Sequence, residues 1–276
     1  MAEYLRPHCL EEALGVLQRP FTVLAGGTDF YPARVGRSID EDVLDISAIA
    51  DLRGIARGPG GWRLGATTTW GELIAADMPP LFDGLKQAAR DVGGRQIQNA
   101  GTIAGNLCNA SPAADGVPPL LALEAKVEIA SRTGARRVPL ARFITGNRRT
   151  VLAPGELVVA IHVPEPAHPA RSAFLKLGAR RYLVISIVMA AATLEITDGR
   201  IAAARVAVGA CSAVAQRLPA LEAALAGAMP DASLGERVEM RHLAPLTPID
   251  DVRGSAGYRS DAALTVLRRL LQGFAA

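Results

Sequence analysis

The chain has 276 residues, half of them hydrophobic, which at roughly 100–200 residues per domain predicts two domains able to bury their own cores without disulfide or metal staples. Its 30 Lys and Arg against 27 Asp and Glu leave a net charge of +3 with the signs interspersed, and only 4% of residues are aromatic. A basic stripe and base-stacking rings, the usual means of holding nucleic acid, are therefore missing.

In chain order, Leu10, Ala13, Leu14 and Leu17 recur at helical spacing until Pro20. Phe21–Ala25 reads as a short buried strand running into Gly26-Gly27, and Val43–Ile46 as a second strand. Ile55–Arg57 and Trp62–Gly65 flank a Gly-Pro-Gly-Gly turn and form a predicted hairpin. Thr69 and Glu72 have capping-box spacing at the head of a helix, and Leu81–Val92 is a second, amphipathic helix. From Gly93 to Pro119 neither period holds, and this stretch is expected to be a long, ordered, irregular segment of functional importance. Strands follow at Val127–Ala130 and Leu157–Val163. The segment 164–169, with three prolines in six residues, marks the domain boundary. Beyond it Ala173–Leu177, Val184–Ile196 and Ile201–Ala210 read as strands, the last two joined at Asp198-Gly199, and helices are predicted at Pro219–Leu225 and Ser260–Leu271. The fold class is α+β.

Cys9, Cys108 and Cys211 have neither metal-ligand spacing nor the even count of a secreted disulfide framework. The N-terminus carries charges where a signal peptide has its apolar run, and the longest apolar stretch, 183–194, falls short of the roughly 20 residues that span a bilayer. A cytoplasmic protein is expected.

Two segments can carry chemistry. In VLAGGTDF, Val23–Phe30, a buried strand delivers paired glycines, a hydroxyl and a carboxylate. It is either a tight turn with Thr28 or Asp29 as a helix cap, or a nest of inward N–H groups that suits a pyrophosphate. It is not a nucleoside-triphosphate loop, since no GK[ST] follows, and it lacks the third glycine of the dinucleotide fingerprint. In GTIAGN, Gly101–Asn106, continuing through Ser111 to Asp115, a second hydroxyl, small residues and a carboxamide share one loop. Asp115 either caps a following helix or meets a ligand. Together, the two loops can grip opposite ends of one long, doubly charged molecule.

AGGTD (25–29), QIQNAGTIAGNLCNASPAAD (96–115), PPLLALEAKVEIAS (118–131), FLKLGARRYLVISIVMAAATLEI (174–196) and PIDDVRGSAGYR (248–259) together resemble the FAD-binding subunits of the molybdenum hydroxylases, the family of xanthine, nicotinate, aldehyde-type and carbon monoxide dehydrogenases. The resemblance implies a two-part FAD-binding domain of the PCMH/vanillyl-alcohol-oxidase type over residues 1–166, with subdomains at about 1–52 and 53–166, then a smaller C-terminal domain over 170–276 with an antiparallel sheet and helices. It implies noncovalent FAD, with Leu24, Ala25, Gly26, Gly27, Thr28 and Asp29 around the pyrophosphate and Thr102, Ala104, Gly105, Asn106 and Ser111 in the second loop. Asp115 would bond a polar part of the cofactor, Leu152 would pack at the flavin, and Lys176 would place a charge near it. Tyr182 matches a position that some branches set near the isoalloxazine, although it could equally be an ordinary strand aromatic. No catalytic residue and no metal ligand is expected on this chain. The implied partners are a small [2Fe–2S] subunit and a large molybdopterin-binding subunit, with NAD or another acceptor taking the electrons.

Some positions depart from the family. Ala104 stands where the first of two paired glycines is usual, so its methyl is expected to restrict the backbone and crowd a phosphate. Gln98, Val92 and Val184 stand where Arg, Phe and Asp are common. Two other readings share parts of the sequence: a self-sufficient FAD-dependent oxidase or reductase, and a flavin-free scaffold, for which Ala104 is the one argument.

Overall fold

The computed structural model describes residues 2–275. The N-terminal part opens with β1 (Tyr4–Leu5), α1 (Leu10–Val16), β2 (Thr22–Leu24) and β3 (Val43–Asp45). Both outer strands run parallel to β3, in the order β1–β3–β2. Ala13, Leu14 and Leu17 of the predicted amphipathic stripe pack on Leu44 and Ile46 beneath them. The sheet therefore points the C-terminal end of β2 straight at Gly26-Gly27.

The next unit has an antiparallel sheet. The hairpin β4 (Ile55–Gly58) and β5 (Gly61–Gly65) closes through Pro59-Gly60. Then come α2 (Trp70–Ala75), α3 (Asp83–Asp91), α4 (Arg95–Ala100), α5 (Ile103–Asn109) and α6 (Val117–Ala122). After them lie β6 (Lys126–Ser131), β7 (Gly134–Pro139), α7 (Leu140–Phe143), β8 (Ile144–Gly146), β9 (Arg149–Thr150) and β10 (Leu157–Pro164). Strand order is β4–β5–β10–β6–β7, with the last strand made in the middle. The capping box at Thr69 and Glu72 is present in full. The segment 93–119, expected to be irregular, instead holds three short helices. Each is one to two turns long and is bounded by Gly94, Gly101, the left-handed Ala110 or Gly116, too short for a 3.6-residue period to register.

The C-terminal part is a four-stranded antiparallel sheet of β11 (Ala170–Leu177), β12 (Val188–Thr197), β13 (Arg200–Gly209) and β14 (Gln216–Arg217), covered by α8 (Pro219–Leu225) and α9 (Ala256–Gln272). Asp198 and Gly199 both have positive φ, as a two-residue hairpin turn requires. Two boundaries differ from expectation. β12 starts at Val188 and not Val184, because its partner β11 ends at Leu177, directly opposite Val188, and leaves 184–187 without a strand to pair with. α9 starts at Ala256 and not Ser260, because Ser255 caps it by accepting from the Tyr258 N–H at 3.2 Å. This part docks on α3: Ser172 Oγ accepts from Gly84 N–H at 2.9 Å, and Gln87 Oε1 from Phe174 N–H at 2.7 Å.

Candidate functional site

A cavity of about 820 Å³ lies between the end of β2 and the helical segment α4–α5, within the roughly 300–1,000 Å³ of cofactor and small-molecule sites. Leu24, Ala25, Gly26, Gly27, Thr28 and Asp29 line one side, and Thr102, Ala104, Gly105 and Asn106 the other. Sequence-distant loops thus meet over one space, as expected.

The first loop turns on Gly27, at φ +69°. Among the described residues, the N–H groups of Gly26, Gly27, Thr28, Asp29 and Phe30 donate to no protein acceptor. The carbonyls are occupied instead, Gly27 C=O by Tyr31 N–H at 3.1 Å and Asp29 C=O by Ala33 N–H at 3.2 Å. The far end is clamped by Arg34, which donates to Phe30 C=O at 2.8 Å, sits 3.8 Å over the Phe30 ring and pairs with Glu41. At the near end Gly26 touches the second loop so closely that an added Cβ would lie 1.9 Å from the Ala100 carbonyl oxygen.

The second loop is tied down from below. Trp70 N–H donates to Gly101 C=O at 3.1 Å and Ile103 N–H to Thr68 C=O at 3.0 Å. Trp70 itself is buried beneath the loop. Thr102 caps α5 by accepting from Gly105 N–H at 3.1 Å, while the N–H groups of Thr102 and Ala104 have no protein acceptor among the described residues. Asn106, which lines the cavity, accepts at Oδ1 from Gly116 N–H at 3.2 Å. Ala104 lies inside α5 with helical φ and is almost fully buried in the core. The backbone restriction expected of its methyl is therefore absent, since a helix suits alanine better than glycine.

Val92, Ile97, Leu152 and Val158 give the remaining wall an apolar surface. Arg148, bonded to Asn109, and Glu156, paired with Arg136 at 2.7 Å, stand at its edge. Cys108 lines the cavity and is exposed there, and the protein packed round it pushes its thiol up to about 12.

Four expected site residues do not line this space. Ser111 holds a turn, accepting from Ala113 N–H at 3.3 Å. Asp115 is buried and accepts from Lys176 Nζ at 2.6 Å and from Ser186 Oγ at 2.6 Å. Burial pushes the Asp115 carboxyl up against the downward pull of Lys176. This pair sits one layer behind the wall: Lys176 Nζ also reaches Asp91 C=O at 3.4 Å beside Val92, and Gly116 follows Asp115. Tyr182 is 61% exposed on the loop before β12. Sequence reading missed Arg34, Trp70 and Ser186. The Thr69–Glu72 capping box could have pointed to Trp70 as the first helical residue under the loop, whereas nothing local marks the other two.

Two groups of N–H donors without a protein acceptor among the described residues, in loops that line one partly apolar cavity, fit a diphosphate carrying aromatic groups. Among the described residues, no group of three or more His, Cys, Asp or Glu is placed to hold a metal. The fold and site define a protein able to clasp a long, diphosphate-bearing molecule.

Residues 1–166 match the family described as the FAD binding domain in molybdopterin dehydrogenase, and residues 173–274 match the CO dehydrogenase flavoprotein C-terminal domain. The chain belongs to the FAD-binding domain family of the molybdopterin dehydrogenases. It is 30% identical to the xanthine dehydrogenase FAD-binding subunit of Escherichia coli O157:H7, over 98% of this chain and 94% of that one. It is 29% identical to the carbon monoxide dehydrogenase medium chain of Afipia carboxidovorans, over 98% and 95%. Among solved structures, quinoline 2-oxidoreductase from Pseudomonas putida 86 superimposes with a TM-score of 0.88 at 28% identity, covering 100% of this chain and 99% of that one.

Proposed function

We propose that this chain is the noncovalent FAD-binding, electron-transferring subunit of a multi-subunit molybdenum hydroxylase. The observation that carries this reading is the two sets of N–H groups without a protein acceptor among the described residues, from Gly26 to Phe30 and at Thr102 and Ala104, in loops lining one cavity. The backbone from Leu24 to Asp29, with Thr28 adding its hydroxyl, holds the pyrophosphate. Thr102, Ala104, Gly105 and Asn106 hold the opposite side, and Leu152 packs at the flavin. Ser111 fixes the turn after α5. The buried Asp115–Lys176 pair steadies the flavin end of the wall, and Tyr182 covers that end.

Held by these residues, FAD would supply the redox chemistry that links one-electron and two-electron partners. The chain's own task is to orient the ring and keep its surroundings apolar. A relay of electrons requires no general base. The partners in this reading are a small [2Fe–2S] subunit and a large molybdopterin-binding subunit, with NAD or another carrier as acceptor and the cytoplasm as location. No described helix is long and apolar enough to cross a membrane. The domain limits proposed are 1–166, with subdomains meeting near residue 52, and 170–276.

The purified chain should bind FAD far more tightly than riboflavin, which lacks the diphosphate, and should turn over no substrate until the metal-bearing subunits are added. Equal affinity for riboflavin would overturn the loop assignment, and turnover by the chain alone would favour a self-sufficient oxidase or reductase.

A further inference from the structure

Arg259 is one of the largest side chains fully enclosed by the protein, 1% exposed, and it lines no part of the cavity. Its Nη1 donates to Ile187 C=O at 2.7 Å and Ala210 C=O at 2.8 Å, and its Nη2 pairs with Asp251 at 2.6 Å. Ile187 immediately precedes β12 and Ala210 immediately follows β13, and the register pairs Met189 with Gly209. The guanidinium thus clips together one end of the C-terminal sheet. A lysine, a single point charge, does not reproduce this fork.

From that same end two donors cross to the FAD-binding domain. Ala210 N–H donates to Pro112 C=O at 3.0 Å, and Ser186 Oγ to Asp115 Oδ1 at 2.6 Å. Lys176 of β11 holds the other oxygen of Asp115. The next residue, Gly116, donates to Asn106 Oδ1, and Asn106 lines the cavity. Ala210 adopts φ +62°, a conformation unfavourable for alanine that its two backbone contacts hold in place. An apolar side chain would fill the core as stably as a buried ion pair. What the cation adds is a fixed relation between the two strands.

We propose that Arg259 and Ser186 are positioning residues for the cofactor site, through which the C-terminal domain sets the second loop and hence the affinity for FAD. The proposal rests on the flavin reading above. Its structural half, the clasp between domains, does not.

The test uses the full chain without cofactor and three variants: Ser186→Ala, Arg259→Lys, and Leu267→Val in the buried core of α9 as a control for general loosening. FAD affinity is titrated, and amide hydrogen exchange is followed at Gly116 and Ala210. Ser186→Ala and Arg259→Lys should each weaken FAD binding about tenfold, roughly the net worth of one hydrogen bond, and speed exchange at both amides. Leu267→Val should lower the unfolding midpoint and leave FAD affinity and those amides unchanged. Unchanged FAD affinity in Ser186→Ala overturns the proposal, and this milder variant decides the matter if Arg259→Lys does not fold. A wild-type chain that binds no FAD would refute the flavin reading instead, while exchange at Gly116 in the cofactor-free variants still judges the clasp.

Discussion

Gly26→Ala perturbs a place where the two loops touch backbone to backbone. The new methyl would lie 1.9 Å from the Ala100 carbonyl oxygen, 2.6 Å from its carbon and 3.0 Å from Gly101 Cα. To restore ordinary contact near 3.5 Å the first loop must retreat by about 1.5 Å, which breaks any hydrogen bond made at normal length from the N–H groups that follow. Loss of two such bonds to a diphosphate, at about 1.5–3 kcal/mol each, removes at least about 3 kcal/mol, or roughly a hundredfold in affinity. The crowding itself costs the fold about 1–3 kcal/mol. Fluorescence titration with FAD and a thermal melt of the cofactor-free chain separate the two effects. Gly15→Ala, in α1 with nothing within 4 Å of the added methyl, is the control. It should leave FAD binding unchanged and stabilise the chain by about 0.5–1 kcal/mol. A Gly26→Ala protein that binds FAD as the wild type does would refute the view that loop separation is set by this contact.

Gly27→Val should lose FAD retention with the fold largely kept, because the side chain meets the strained local turn at φ +69° and the Tyr31 ring; equal flavin content on purification would count against it. Thr102→Val removes the cap on Gly105 N–H and should cost about 1 kcal/mol in denaturant unfolding. Ala104→Gly should destabilise α5 by about 1 kcal/mol without tightening FAD, reversing what its departure from the family pattern implies. Asp251 is held down from the usual 3.8 to about 2, chiefly by Arg253 and then by Arg259. Its folded-state pKa is depressed, so its stabilising contribution is complete above the usual value and disappears as pH falls through about 2. Asp251→Asn should therefore melt below the wild type at neutral pH, with the difference closing as the solution is acidified over that range.

Much of this architecture is legible in the chain because its signals are short-range. The Leu10–Leu17 stripe, the Pro59-Gly60 and Asp198-Gly199 turns and the Thr69 capping box each fix their element with residues a few positions apart. What escapes such reading depends on distant partners. Helices α4 and α5 are too short for a period and exist because Thr68, Trp70 and Gly101 tie them to α2. The glycine pair at 26–27 announces a nest, but that Gly26 is needed for contact with Ala100, and Gly27 for its φ, emerges only in three dimensions. Asp115 and Lys176, 61 residues apart, are individually conspicuous, yet that they bond each other and Ser186 cannot be inferred from spacing.

The central place of β10 in its sheet has a consequence for biosynthesis. β5 and β6 have no direct pairing and can be joined only by the strand that leaves the ribosome after both. Leu157 and Val158, at the start of that strand, also line the cavity. A nascent chain that ends before them carries both glycine-rich loops but lacks the barrier behind them, so flavin capture belongs to the end of this domain's translation or later.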